Sequence, residues 1–131
     1  MNGVSWINDS KGTNVGATVA AINGLAGRGV LIAGGVGKGA DFSALRSSIQ
    51  EKISHLVLFG QDANDIARAV DGVVPTHFAK TLKDAVAQAA TFSNDGAFVL
   101  FSPACSSFDM FDSFEHRGDQ FRSLVLEVGG E

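Results

Sequence analysis

The chain has 131 residues, one cysteine and a net charge of −4, with 45% hydrophobic and 18% charged residues. That length suits one compact domain whose core needs no disulfide or metal staple, and the composition excludes intrinsic disorder. The acidity argues against general nucleic-acid binding, no apolar run approaches the roughly 20 residues of a membrane span, and the lone Cys105 excludes an internal disulfide framework.

The N-terminus MNGVSWINDS has no basic region followed by an apolar one, so a soluble, cytoplasmic, monomeric domain is expected. One count stands out. There are 16 glycines against two prolines, about 12% glycine where roughly 7% is average.

In chain order, Val4 to Ile7 is the first strand candidate. Helical spacing follows in Val15, Val19, Ile22 and Leu25/Ala26, with Gly27 as the stop. Gly29 to Ala33 is a stronger strand. Phe42, Leu45, Ile49 and Ile53 form the next helical stripe, capped by Ser43 or Asp41. His55 to Phe59 is the third strand, and Asp62 can cap a short helix through Val70. Val73-Val74 could start a further strand that Pro75 ends. Thr81 with Asp84 resembles a capping box before Leu82, Val86 and Ala89/Ala90. Ala97 to Phe101 is another strand, and Phe114, Gly118, Phe121 and Val125 line one face of a final helix.

The near-continuous apolar strands predict a sheet buried on both faces. Their alternation with helices predicts an α/β, Rossmann-like three-layer domain with a mostly parallel sheet of five or six strands. Ligands of such sheets lie beyond the carboxyl ends of the strands. Three loops then matter.

The first, Asn8-Asp-Ser-Lys-Gly-Thr-Asn14, places an acid, a base and small polar groups at a helix N-terminus, where backbone N–H groups favour anions. It reads equally as a helix cap by Thr13 or Asn14, with Asp9 and Lys11 in water. The second is Gly34-Gly-Val-Gly-Lys-Gly-Ala-Asp41. Gly35, Gly37 and Ala40 fit a dinucleotide fingerprint, but no acid ends the next strand; the nearest, Asp62, lies beyond it. It is not a P-loop, since Lys38 is followed by Gly39. The loop offers Lys38 to a carboxylate or phosphate, or is a glycine-rich turn with a solvated lysine.

The third loop runs from Ser102 to Gly118. Ser106 or Ser107 could bind a carboxylate at a helix N-terminus, while Phe108, Phe111 and Phe114 favour core over ligand wall. Cys105 reads as a buried structural thiol, His55 as structural, opening its strand, and His77 as a surface residue. None of His55, His77 and His116 has metal-ligand spacing.

Taken together, in this order and spacing, the three loops resemble the C-terminal domain of the Mur ligases, most nearly the branch that adds D-glutamate. The resemblance covers essentially the whole chain. It implies a cytoplasmic bacterial enzyme of peptidoglycan precursor synthesis with three domains, of which residues 1–131 are the C-terminal, amino-acid-binding one. The N-terminal domain would hold the UDP-sugar and the central one the ATP P-loop.

The implied partners are D-glutamate, ATP and UDP-N-acetylmuramoyl-L-alanine, with Mg2+ accompanying ATP in the full-length enzyme and neither held tightly by this domain alone. The resemblance assigns Asp9 to the ATP ribose and Lys11 to the phosphate and substrate side. It assigns Thr13, Lys38, Ser107 and the Phe108 backbone to the D-glutamate carboxylates, with Phe114 lining that pocket. Gly12 stands where alanine is common, and Val36 where an acid is frequent. The chain holds no P-loop, lysine-carbamate or UDP site, so it is expected to be a piece of a longer ligase, starting at Met1 and inactive alone. A stand-alone nucleotide- or dinucleotide-binding module is the alternative, and a flavodoxin-like interaction domain a third reading.

Overall fold

The computed structural model describes residues 4–9, 14–35, 41–93, 97–102, 104 and 113–130. The strands are β1 (Ser5–Asn8), β2 (Gly29–Gly34), β3 (Ile53–Phe59), β4 (Thr76–Phe78) and β5 (Phe98–Phe101). The helices are α1 (Val15–Asn23), α2 (Leu45–Lys52, entered through a 3-10 turn at Phe42–Ala44), α3 (Ala63–Ala69), α4 (Leu82–Phe92) and α5 (Phe114–Gly130). All strand pairs are parallel, in the order β1-β5-β2-β3-β4.

Period-2 alternation divides the strand side chains between two cores. Leu31, Ala33, Leu56, Leu58 and Leu100 face α1, α2 and α3, meeting Ile22, Leu45, Ile49 and Ile66. Val30, Ile32, Val57, Phe59, Val99 and Phe101 face α4 and α5, meeting Leu82, Val86, Phe121 and Val125. A sheet covered in this way must be apolar in every strand residue at its centre. β2 and β5 are buried along their whole length. The three-layer α/β expectation is met, with five strands among the described residues and every pairing parallel.

Several boundaries differ from those read in the sequence. α1 ends at Asn23, with Gly24 as its C-cap donating to Ala20 O and the Leu25 N–H to Ile22 O, so Leu25 and Gly27 lie past the helix. Ile53 starts β3 rather than closing α2. Val73-Val74 is not a strand. β4 follows Pro75, whose missing N–H suits the residue before a strand, while its carbonyl accepts from Leu56 N at 3.0 Å.

The caps follow local chemistry. Asn14 accepts from Ala17 N at 2.9 Å, and Asp41 rather than Ser43 caps the 3-10 turn, accepting from Ser43 N at 3.0 Å. Thr81 accepts from Asp84 N at 3.1 Å, while Asp84 reaches back to Lys80 N at 3.2 Å, one residue beyond the N-cap N–H of the usual capping box. Asp62 stands at the N-cap of α3 without a side-chain capping bond.

Candidate functional site at the carboxyl edge of the sheet

The strand register sets this edge. Asn8 pairs with Phe101 and Phe101 with Ile32, so β1 and β5 end abreast while β2 runs two residues further, to Gly34. The chain leaves β1 for α1 on one face of the sheet and leaves β5 for α5 on the other. Neighbouring strands whose connections part to opposite faces open a crevice at their carboxyl ends, the usual ligand position in an open α/β sheet.

Asp9 continues β1 into this crevice, its N–H donating to Phe101 O at 2.8 Å. Its Oδ2 accepts from the Ser102 hydroxyl at 2.8 Å, and Ser102 Oγ lies 2.9 Å from Thr18 Oγ1. Ser102 and Thr18 are fully buried. The Ser102 N–H donates to Ile32 O at 3.2 Å, and its carbonyl accepts from Thr18 Oγ1 at 3.2 Å. Asn8 Nδ2 donates to Gly118 O at 3.1 Å, which ties the end of β1 to the first turns of α5.

Ala104 is buried with φ 63, in the left-handed region that a residue with a Cβ rarely enters. α5 opens at Phe114, with Ser113 Oγ accepting from His116 N at 3.1 Å, so Ser113 stands at its N-terminus. Arg117 is 1% exposed, with its guanidinium carbon 5.8 Å from the centroid of the Phe101 ring. A cation against an aromatic face is attracted by the ring quadrupole.

On the other side of the crevice, Gly34 closes β2 and Gly35 O accepts from Asp62 N at 2.9 Å. Both glycines have positive φ. Hydrogen bonds from Ser43 hold the Asp41 carboxyl below its ordinary value. β3 ends on Phe59 with no acid, so the described residues lack the acidic partner of the dinucleotide fingerprint, whose Gly37 and Ala40 lie outside them.

Of the residues assigned from sequence, Asp9 stands in the crevice and Phe114 opens α5. Lys11, Thr13, Lys38, Ser107 and Phe108 lie outside the described residues, as do Cys105, Ser106 and Phe111. Sequence reading did not single out Ser102, Thr18 or Arg117. Each sits where a polar residue meets a buried position, but only the strand order reveals that Ser102 and Asp9 meet. His77 is not a plain surface residue. Its Nε2 lies 3.2 Å from His55 Nδ1, and both rings stack on Phe92. Burial, and then the neighbouring His55, lower the His77 pKa.

Three other cations serve the fold. Arg28 donates to Glu51 O and Ile53 O at 3.0 and 3.1 Å, Lys52 to Asn23 O at 3.0 Å and to Leu25 O, and Arg46 to Ala69 O at 3.0 Å. Cations at helix C-termini satisfy carbonyls left without helical partners. Among the described residues, no three His, Cys, Asp or Glu side chains group to hold a metal ion, and no helix is long and apolar enough to cross a membrane.

A parallel sheet covered on both faces, with Asp9 and Ser102 meeting just beyond β1 and β5, defines an α/β domain with a ligand edge at its switch point. The chain belongs to the Mur ligases. Residues 1–105 match the family described as Mur ligase, glutamate ligase domain. The chain is 53% identical over 129 residues to the UDP-N-acetylmuramoylalanine–D-glutamate ligase of Legionella pneumophila (strain Paris), covering 95% of this chain and 29% of that protein. Similar relatives of that name occur in Marinobacter nauticus (54% identity, 95% of this chain, 29% of that protein) and Nitrosococcus oceani (49%, 98% and 29%). The chain thus spans under a third of the length of these relatives.

Proposed function

We propose that this chain is the C-terminal domain of an ATP-dependent ligase that adds D-glutamate to UDP-N-acetylmuramoyl-L-alanine in peptidoglycan precursor synthesis. One observation carries the reading: relatives named as D-glutamate ligases match 95% of this chain at 53% and 54% identity. The position of Asp9 at the switch point supports it.

In the intact, cytoplasmic enzyme, ATP phosphorylates the carboxylate of UDP-N-acetylmuramoyl-L-alanine. The amine of D-glutamate attacks the resulting acyl phosphate, and phosphate leaves. This domain brings in the amino acid. Holding the amine beside the acyl carbon makes the attack effectively unimolecular. D-glutamate carries two carboxylates, which call for fixed cations and N–H donors in a chain of net charge −4. Lys11, Thr13, Lys38, Ser107 and Phe108 fill that role, with Phe114 along the pocket. Asp9 meets the ATP ribose, and Lys11 lies toward its phosphates. Magnesium would accompany ATP in the intact enzyme.

The test is Lys38→Ala in the intact ligase. The KM for D-glutamate should rise about 10-fold or more, the usual scale for losing a charge-assisted bond, with the KM for ATP unchanged. Unchanged D-glutamate kinetics would remove Lys38 from the site.

A further inference from the structure

Two buried hydroxyls stand behind Asp9. Ser102 Oγ donates to Asp9 Oδ2 at 2.8 Å, so its single proton is used there and its oxygen is left to accept from Thr18 Oγ1 at 2.9 Å. The Thr18 proton is shared with Ser102 O at 3.2 Å. The chain therefore has one direction, from α1 through the first residue after β5 to the first residue after β1. Ser102 cannot drift, because its N–H is held by Ile32 O at 3.2 Å. Thr18 cannot turn to water, because it is fully buried. Among the described residues, Asp9 Oδ1 has no hydrogen bond, so one carboxylate oxygen is anchored and the other is left for a ligand.

We infer that Ser102 and Thr18 are positioning residues for Asp9. They fix the carboxylate so that its second oxygen accepts from a ribose hydroxyl of the nucleotide. This rests on the assignment of Asp9 to the ATP ribose proposed above. A hydroxyl chain suits the task because a buried donor with one proton and one permitted direction holds an acceptor in place without adding charge near the phosphates. Arg or Lys behind Asp9 would neutralise it; Ser and Thr do not.

The experiment compares KM for ATP, 2′-deoxy-ATP and 3′-deoxy-ATP in the intact ligase and in its Asp9→Asn, Ser102→Ala, Thr18→Val and Thr18→Ser variants. Thr18→Val keeps the shape of the buried side chain and removes only the hydroxyl; Thr18→Ser restores it. The wild type should prefer ATP over at least one deoxy analogue. In Ser102→Ala the KM for ATP should rise about 5- to 10-fold, with KM for that analogue and for D-glutamate unchanged, so the preference disappears. Thr18→Val should shift the preference the same way by less, and Thr18→Ser should retain it. If Ser102→Ala does not fold, Thr18→Val against Thr18→Ser decides.

If Asp9→Asn abolishes the preference while Ser102→Ala and Thr18→Val keep it, the ribose assignment stands and the positioning role is overturned. If Asp9→Asn itself leaves the preference intact, the ribose assignment fails, and the positioning role with it.

Discussion

A Cβ on Gly34 would lie 1.7 Å from the carbonyl oxygen of Phe59 on the neighbouring strand. Gly34 also has φ +137, so two independent constraints demand glycine where β2 reaches the ligand edge. Gly29 is similar at the other end of the strand, where a Cβ would fall 2.1 Å from Phe98 O. Part of the glycine excess therefore serves the close approach of β2 to its two neighbours.

Gly34→Ala should accordingly cost about 3 kcal/mol or more, since backbone strain and overpacking add at one position. Urea denaturation of the chain checks it. A midpoint within experimental error of wild type would show that β2 and β3 do not approach as described.

The imidazole pair on β3 and β4 predicts a pH effect. The pKa of folded His77 lies below its ordinary value, through burial first and His55 second. On acidification the unfolded chain therefore takes up this proton before the folded chain does, and stability falls as pH drops below about 6.5. The contribution is fully present above that pH. His77→Gln should flatten this part of the stability profile between about pH 7 and 5, measured by urea midpoints at each pH. A profile unchanged by the substitution would contradict the lowered pKa.

Thr81 caps α4 through Asp84 N, and its replacement by Ala should cost about 1 kcal/mol, with Thr81→Ser close to wild type. A shifted denaturation midpoint with an unchanged slope is the expected signature.

The elements differ in how far they can be read from sequence, and the reasons are physical. β2, β3 and β5 are legible because a doubly covered sheet needs apolar residues on both faces, and such runs stand out. α1 is overextended in that reading because Leu25 still packs against the core after Gly24 has ended the helix. β4 is misplaced across Pro75 because its burial is shallow and its residues, Thr76, His77 and Phe78, lack an apolar signature. The candidate site is legible as loops, since strand ends and polar turns are local features. Its internal contacts are not. Asp9 and Ser102 are 93 residues apart and meet only because β5 inserts between β1 and β2. His55 and His77 likewise pair through the β3 and β4 register.

The most direct measurement is phosphate release from ATP and UDP-N-acetylmuramoyl-L-alanine, with and without D-glutamate, by the intact ligase and by this domain alone. The account predicts D-glutamate-dependent release of phosphate and ADP by the intact ligase and none above background by the domain. Release independent of D-glutamate in the intact ligase, or clear turnover by the domain alone, would contradict it.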